Sequence, residues 1–276
     1  MRIWLDGALQ DADSAQVSVF DHGLTVGDGV FETLKAERGA VFALTRHLER
    51  LTRSARGLGL PDPDLDEVRA ACAAVLEANP VPLGRLRITY TGGVSPLGSD
   101  RGEAAPTLVV ALGETARRPD TTAVITVPWV RNERSAIAGL KSTSYAENVV
   151  ALAAAHRAGA SEALFANTVG QLCEGTGSNV FVVVDGELHT PPVASGCLAG
   201  ITRALVVEWA GAKETDLPFE VLERAEEVFL TSTLRDVQAV SVVDGRAVAA
   251  AGGGVGPVTA EAMRLFDAHA RADLDP

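Results

Sequence analysis

Residues 139–149 read GLKSTSYAENV, and the interpretation of the chain turns on them. The stretch carries Lys141, one of three lysines in 276 residues, among small and hydroxylic neighbours. Two readings of such a lysine stand open. It is a solvated residue at the start of a surface helix, or an amine that forms a Schiff base with an aldehyde. Downstream, residues 173–183 read CEGTGSNVFVV, where Glu174 opens a glycine-rich polar turn before an apolar run. A carboxylate there is a turn residue or the partner of a buried cationic nitrogen. Residues 195–207, SGCLAGITRALVV, bring glycines to a helix start at Ile201 and Thr202. Free N–H groups and a hydroxyl at such a start suit a phosphate. FLTSTLRDV, residues 229–237, ends a strand in Thr231, Ser232 and Thr233, hydroxyls that hold phosphate oxygens or cap the next helix. Arg50, in RHLERL (46–51), offers a guanidinium that can bind two such oxygens.

The bulk properties narrow the field. Hydrophobic residues make up 47% and charged residues 22%, a globular profile with ample core. The formal net charge of −12 argues against nucleic acid or an anionic membrane as partner, since both require a basic face. Cys72, Cys173 and Cys197 fit neither a disulfide framework nor a zinc pattern, so no metal site is expected. Reduced thiols, the absence of an apolar leader in MRIWLDGALQ and the lack of a membrane-length apolar run give a cytoplasmic expectation.

Period-two and helical patterns alternate irregularly, so the fold class expected is α+β. RIWLDG reads as a strand and GVFETLKAERGAVFALT as a hairpin around Arg38-Gly39. A helix follows with Thr45 as N-cap and Gly57 or Gly59 as its stop, then a second with acidic residues in its first turn. Residues 114–121 are polar, contain Pro119 and lack apolar periodicity. They divide an N-terminal domain, 1–113, from a C-terminal domain, 122–276. AAAGGGVGP, 249–257, reads as a loop.

Lysine, carboxylate, glycine-to-helix entry, hydroxyl turn and arginine together meet the needs of pyridoxal 5'-phosphate (PLP). The chain resembles the fold-type IV PLP enzymes, which include branched-chain and D-amino-acid aminotransferases, R-selective amine aminotransferases and 4-amino-4-deoxychorismate lyases. The resemblance runs from DHGLTVGDGVFETLKAERG through HLERL, LKSTSYAENV, CEGTGSNVF and GITR to EVFLTST. It implies a two-domain fold with PLP between the domains and most cofactor contacts from the second. It implies that Lys141 binds the cofactor and shuttles protons, and that Glu174 pairs with the pyridine nitrogen. Arg50, Ile201, Thr202, Ser232 and Thr233 would hold the phosphate, with Thr176 lining the site. It also implies a homodimer acting on a small amino substrate, with VSVFDHGLTVGDG near the dimer contact.

Alternation places Phe31, Thr33 and Lys35 on one strand face and Glu32 and Leu34 on the other. In the resembled family the first face looks into the substrate pocket. Lys35 is an anion contact or the solvated end of the strand. Leu97 and Ser99 stand where D-amino-acid aminotransferases carry an arginine and a histidine, which argues against that activity. Thr33 and Lys35 replace a glycine and an arginine of the branched-chain enzymes. The sequence around Phe31–Thr33 and the loop TGGVSPLGSDRG is more similar to aminodeoxychorismate lyases, which release pyruvate and 4-aminobenzoate. A lyase is therefore the favoured expectation and an aminotransferase the alternative. A PLP-binding protein without turnover is a third reading. Thr33, Arg87, Tyr90 and Arg235 are candidates for the substrate carboxylates, although Arg87 also reads as a strand-edge residue and Tyr90 as a core aromatic.

Overall fold

The computed structural model describes residues 1–248 and 254–276; the loop read at 249–257 lies outside the described residues over 249–253. The chain forms two compact units, Met1–Arg117 with Leu140–Ser144 and Leu274–Pro276, and Arg118–Gly139 with Tyr145–Asp273. The segment bearing Lys141, expected in the C-terminal domain, thus groups with the first unit.

The first unit contains β1 (Arg2–Leu5), β2 (Ala8–Asp11), α1 (His22–Thr25), β3 (Gly29–Glu37), β4 (Ala40–Val41), α2 (Leu44–Leu58), α3 (Leu65–Ala78), β5 (Leu83–Thr91) and β6 (Thr107–Glu114). Its strands pair antiparallel in the order β2-β1-β6-β5-β3-β4. One sheet face buries Val30, Leu34, Leu86, Ile88 and Val110 against Leu48, Leu51 and Ala55 of α2 and Val68, Ala71 and Val75 of α3. Asp64 caps α3 by accepting from the Asp66 and Glu67 N–H groups.

Thr45 is not the N-cap of α2. That place falls to Ala43, whose backbone is left-handed and whose side chain caps nothing. The carboxylate comes from far along the chain instead: Asp275 accepts from Thr45 N at 2.8 Å and Thr45 Oγ1 at 2.6 Å. Gly59 stops the helix at φ +76°, as a glycine with no Cβ penalty can.

The second unit contains β7 (Thr121–Arg131), α4 (Ala146–Arg157), β8 (Glu162–Asn167), β9 (Leu172–Gly175), β10 (Asn179–Val184), β11 (Glu187–Thr190), α5 (Ile201–Ala210), β12 (Lys213–Glu214), α6 (Val221–Arg224), β13 (Glu227–Ser232), β14 (Asp236–Val243), β15 (Arg246–Ala247) and α7 (Pro257–Ala272). Among the described residues these strands form one sheet in the order β12-β11-β10-β13-β14-β7-β8-β9, with β15 on β14. The buried aliphatics Val180, Val182, Val228, Leu230 and Val240 belong to one core cluster. Phe181 and Phe229, paired across β10 and β13, stack at 4.7 Å. β9 was not expected: Glu174 lies on this strand opposite Phe165 rather than at the opening of a turn.

Candidate active site

In the first unit the register of β3 on β5 places Phe31 opposite Thr89, Thr33 opposite Arg87 and Lys35 opposite Arg85. These six residues therefore share one sheet face. Lys141 lies against that face because its own backbone is tied to β3. Phe31 N donates to Lys141 O at 2.9 Å, and Thr143 N donates to Gly29 O at 2.8 Å. Lys141 N in turn donates to Ser54 Oγ of α2 at 3.3 Å. The Lys141 Nζ stands 4.5 Å from the Phe31 ring centroid, and Arg87 Cζ stands 3.8 Å from the same centroid. One aromatic ring thus carries two cations within cation–π range. Lys35 Nζ reaches over the Phe42 ring at 5.6 Å.

The opposite face holds a buried ionic cluster. Arg50 grips Glu32 with two bonds, Nε to Oε1 at 2.8 Å and Nη2 to Oε2 at 2.6 Å. His47 Nδ1 joins Glu32 Oε2 at 2.7 Å, and all three residues are buried. Burial alone would push the Glu32 carboxyl up, but Arg50 and then His47 outweigh it and hold the group well below the usual range. His47 is lowered by burial, in part opposed by Glu32. Glu32 and His47 were not singled out from sequence. The available signals were an acid at a core position of β3 and the histidine one helical turn before Arg50.

Tyr90, expected as a substrate contact, lies on the other face from Phe31. It pairs with Val30 and joins the core on the helix face, and burial, with Asp62 and Glu67 nearby, raises its hydroxyl. Period two decides this, since Thr89 takes the Phe31 face and Tyr90 the other.

His22, buried, bonds Asp28 Oδ2 and Gly98 O, both at 2.8 Å. Arg101 clasps Asp28 and also reaches the Leu58 and Gly59 carbonyls at the end of α2. The loop carrying Leu97 and Ser99 is pinned in this way, while Leu97 itself is exposed.

In the second unit Glu174 Oε2 accepts from Leu198 N at 2.9 Å, and Oε1 lies 3.1 Å from Arg131 Nε. Arg131 lies over the Phe165 ring and also bonds Glu147 and Asn148. Asn179 Nδ2 donates to Leu198 O at 2.8 Å, so the loop before α5 is fixed from two sides. A Cβ on Gly200 would run into Asn179 Oδ1, so a larger residue here would have to displace that side chain. α5 then begins at Ile201 with no side-chain cap, and Ile201 and Thr202 are buried. Thr231, opposite Asn179, has a buried Oγ1 without a partner among the described residues. Ser232 ends β13, and Thr233 lies in the turn that follows. Thr176 is held through its backbone, its N donating to Glu162 Oε1 at 3.0 Å. Arg131 and Asn179 are further residues that the sequence reading did not single out.

Arg235, expected as a substrate contact, is engaged by partners within its own unit. Its guanidinium is buried against Glu162 at 3.2 Å and bonds Ser161 and Gln238. Burial raises the Glu162 carboxyl, and Arg235 is the largest opposing influence. Arg235 thus supports the Thr176 turn from within.

Each unit by itself carries groups of the kinds PLP needs. The first has an amine beside an aromatic ring; the second has a carboxylate fixed by a backbone N–H and a helix start without a side-chain cap. The orphaned hydroxyl of Thr231 opens the strand end that leads into Ser232–Thr233. Among the described residues no group of three His, Cys, Asp or Glu side chains could hold a metal ion, and no helix is long and apolar enough to cross a membrane.

Residues 29–243 match the family model described as amino-transferase class IV. The chain is 37% identical over 263 residues to a Methanocaldococcus jannaschii protein provisionally named a branched-chain-amino-acid aminotransferase, with 90% of each covered. It is 32% identical to a Staphylococcus haemolyticus D-alanine aminotransferase, with 97% of each covered. It is 31% identical to a Mycobacterium tuberculosis bifunctional aminodeoxychorismate lyase and D-amino acid transaminase, covering 89% of this chain and 92% of the other. A solved Mycobacterium tuberculosis structure described as a hypothetical aminotransferase in PLP-bound form superposes with a TM-score of 0.85 at 28% identity, covering 97% of this chain and 98% of that one.

Proposed function

The chain belongs to the class IV aminotransferase family, a family of PLP-dependent enzymes of fold-type IV, and from that premise we propose that it moves an amino group between an amino acid or amine and a 2-oxo acid. The observation that carries this reading is the pair of cations on Phe31: an amine able to move a proton and a guanidinium able to hold a carboxylate flank one ring. The lyase expectation drawn from Phe31–Thr33 and the following loop gives way to this alternative. Relatives over nearly the whole chain are named as aminotransferases, and the Mycobacterium tuberculosis relative carries transaminase beside lyase in its name.

Bound PLP supplies an electron sink for the carbanion left when a substrate carbon loses its proton. Lys141 holds the cofactor and moves that proton, its backbone fixed by Phe31 and Ser54. Glu174 keeps a proton on the ring nitrogen, oriented by Leu198 N–H and Arg131. Arg50, oriented by Glu32, is the first unit's candidate for the phosphate, and the Ile201–Thr202 helix start and the Ser232–Thr233 turn are those of the second. Thr176 lines the site. Phe31 and Thr33 receive the substrate, and Arg87 takes a carboxylate of it.

The assay follows the visible absorbance of PLP-loaded protein while amino acids of both configurations and simple amines are added singly. Stoichiometric loss of the PLP band with formation of the donor's carbonyl analogue, a 2-oxo acid from an amino acid or a ketone or aldehyde from an amine, is the expected result. Pyruvate and 4-aminobenzoate formed from aminodeoxychorismate, with the band retained and no response to any donor, would replace this reading with the lyase.

We infer a homodimer from an apolar surface of the first unit. Phe20, Leu24, Val94 and Leu97 are all exposed, and the segments bearing them are joined by the Asp21–Val94 bridge and the Ser95 N to Phe20 O bond. An apolar surface of this kind marks a protein contact. Light scattering on a Leu24→Asp, Leu97→Asp double variant is expected to give a monomer where the parent gives a dimer. A parent that is itself monomeric would refute the inference.

A further inference from the structure

Thr231 carries a hydroxyl that the proposed chemistry leaves unassigned. The residue is 1% exposed, and its Oγ1 has no hydrogen-bond partner among the described residues. A hydroxyl offers one donor and two acceptor sites, and burying it with none of them met destabilises a fold. Valine has the same shape and the same preference for strands, and would fill this position without that cost.

The surroundings of Thr231 within the second unit explain why a hydroxyl stands there. Thr231 lies directly opposite Asn179 in the register of β10 on β13, so the two side chains share a sheet face. The stacked pair of Phe181 and Phe229 continues that face. From it Asn179 reaches the loop before α5, donating to Leu198 O at 2.8 Å. Its Oδ1 occupies the space that a Cβ on Gly200 would need. Thr231 therefore sits beside the start of α5. There Ala204 N makes the first bond of the helix, to Gly200 O at 2.9 Å. Gly200 offers no side chain to cap the N–H groups of Ile201, Thr202 and Arg203. Ser232, one residue further along β13, turns its side chain to the face of Val228 and Leu230. Of the two hydroxyls on β13, Thr231 is thus the one on the face of the helix start. Open amide donors and a buried hydroxyl donor together suit an anion.

We propose that the Thr231 hydroxyl donates to the cofactor phosphate at the start of α5 and finds its partner only when PLP is bound. Thr231 is then a cofactor-binding residue retained at a cost to the unloaded protein. The inference rests on the reading of that helix start as a phosphate holder, and its test separates the two.

Dissociation constants for PLP and for pyridoxal, which lacks the phosphate, are measured by equilibrium dialysis on the parent, Thr231→Val and Thr231→Ser. The parent is expected to prefer PLP, and Thr231→Val to reduce that preference about tenfold or more, the weight of a hydrogen bond to a charged group. Pyridoxal should bind the parent and Thr231→Val alike. Thr231→Ser keeps the hydroxyl and should keep most of the preference. The melting temperature of the unloaded protein moves in the other direction. Thr231→Val is expected to raise it by about 2–4 °C, because the buried orphan is gone. A preference for PLP unmoved by Thr231→Val, or lost equally in Thr231→Ser, overturns the role of the hydroxyl. A melting temperature that does not rise would give the hydroxyl a partner in the unloaded protein, and overturns the proposal as well. A parent that binds PLP no more tightly than pyridoxal overturns the phosphate reading of the helix start itself.

Discussion

Lys141→Ala is expected to lower kcat with any amino donor by about 10³-fold or more, the upper range for a residue acting both as nucleophile and as proton carrier. The variant should still fold. The ties that place residue 141 run through its backbone, to Phe31 N and to Ser54 Oγ, and alanine keeps both. What disappears is the amine 4.5 Å from the Phe31 centroid. Three measurements belong together: melting temperature, PLP retained after gel filtration, and turnover. An unchanged melt with lost turnover and easily removed PLP is the predicted pattern. Turnover at the parental rate would remove Lys141 from the mechanism. Because Arg87 stands on the same ring, Arg87→Met gives a contrasting result, with KM for carboxylate donors rising while PLP stays attached. Uncharged amine donors should be less affected, since they have no carboxylate for Arg87 to hold.

This contrast shows which parts of the site were legible in the sequence. Alternation along GVFETLK assigned Phe31, Thr33 and Lys35 to one face without ambiguity, because a strand side chain has two directions to choose from. The same rule applied to RITYT places Thr89, not Tyr90, beside Phe31, but doing so requires the register of β5 on β3. Register is a long-range property that no single strand reveals. The partner of Arg235 was hidden for a related reason. Glu162 lies on a strand distant in sequence, and nothing near FLTSTLRDV announces that acid. Thr45 lost the capping role to Asp275 from the other end of the chain. Local chemistry was read from local sequence, whereas polar partners brought together by folding were not.

Glu32 is the clearest case of such a partner, and its removal is expected to have the largest effect on stability. Glu32→Gln leaves the Arg50 guanidinium buried without its counter-charge, a loss of about 3–5 kcal/mol for a broken buried pair. PLP should bind more weakly as well, because Arg50 takes its orientation from the two bonds to Glu32. The pH dependence separates this from ordinary packing damage. The Glu32 carboxyl is held below its ordinary 4.5, so its contribution is complete above 4.5 and is lost as pH falls through the depressed folded value. The parent's advantage over Glu32→Gln should therefore be constant near neutrality and shrink on acidification below about 4.5. His47, lowered from 6.5, adds an earlier decline in the parent. The unfolded chain takes up its proton first as pH drops below 6.5, so acid favours unfolding. Denaturation of the parent and of Glu32→Gln from pH 7 down to pH 3 tests both signs. A stability gap that stays constant throughout would mean that the cluster acts by shape alone. A gap that closes below pH 4.5 identifies the ionised Glu32 as what keeps Arg50 buried and aimed.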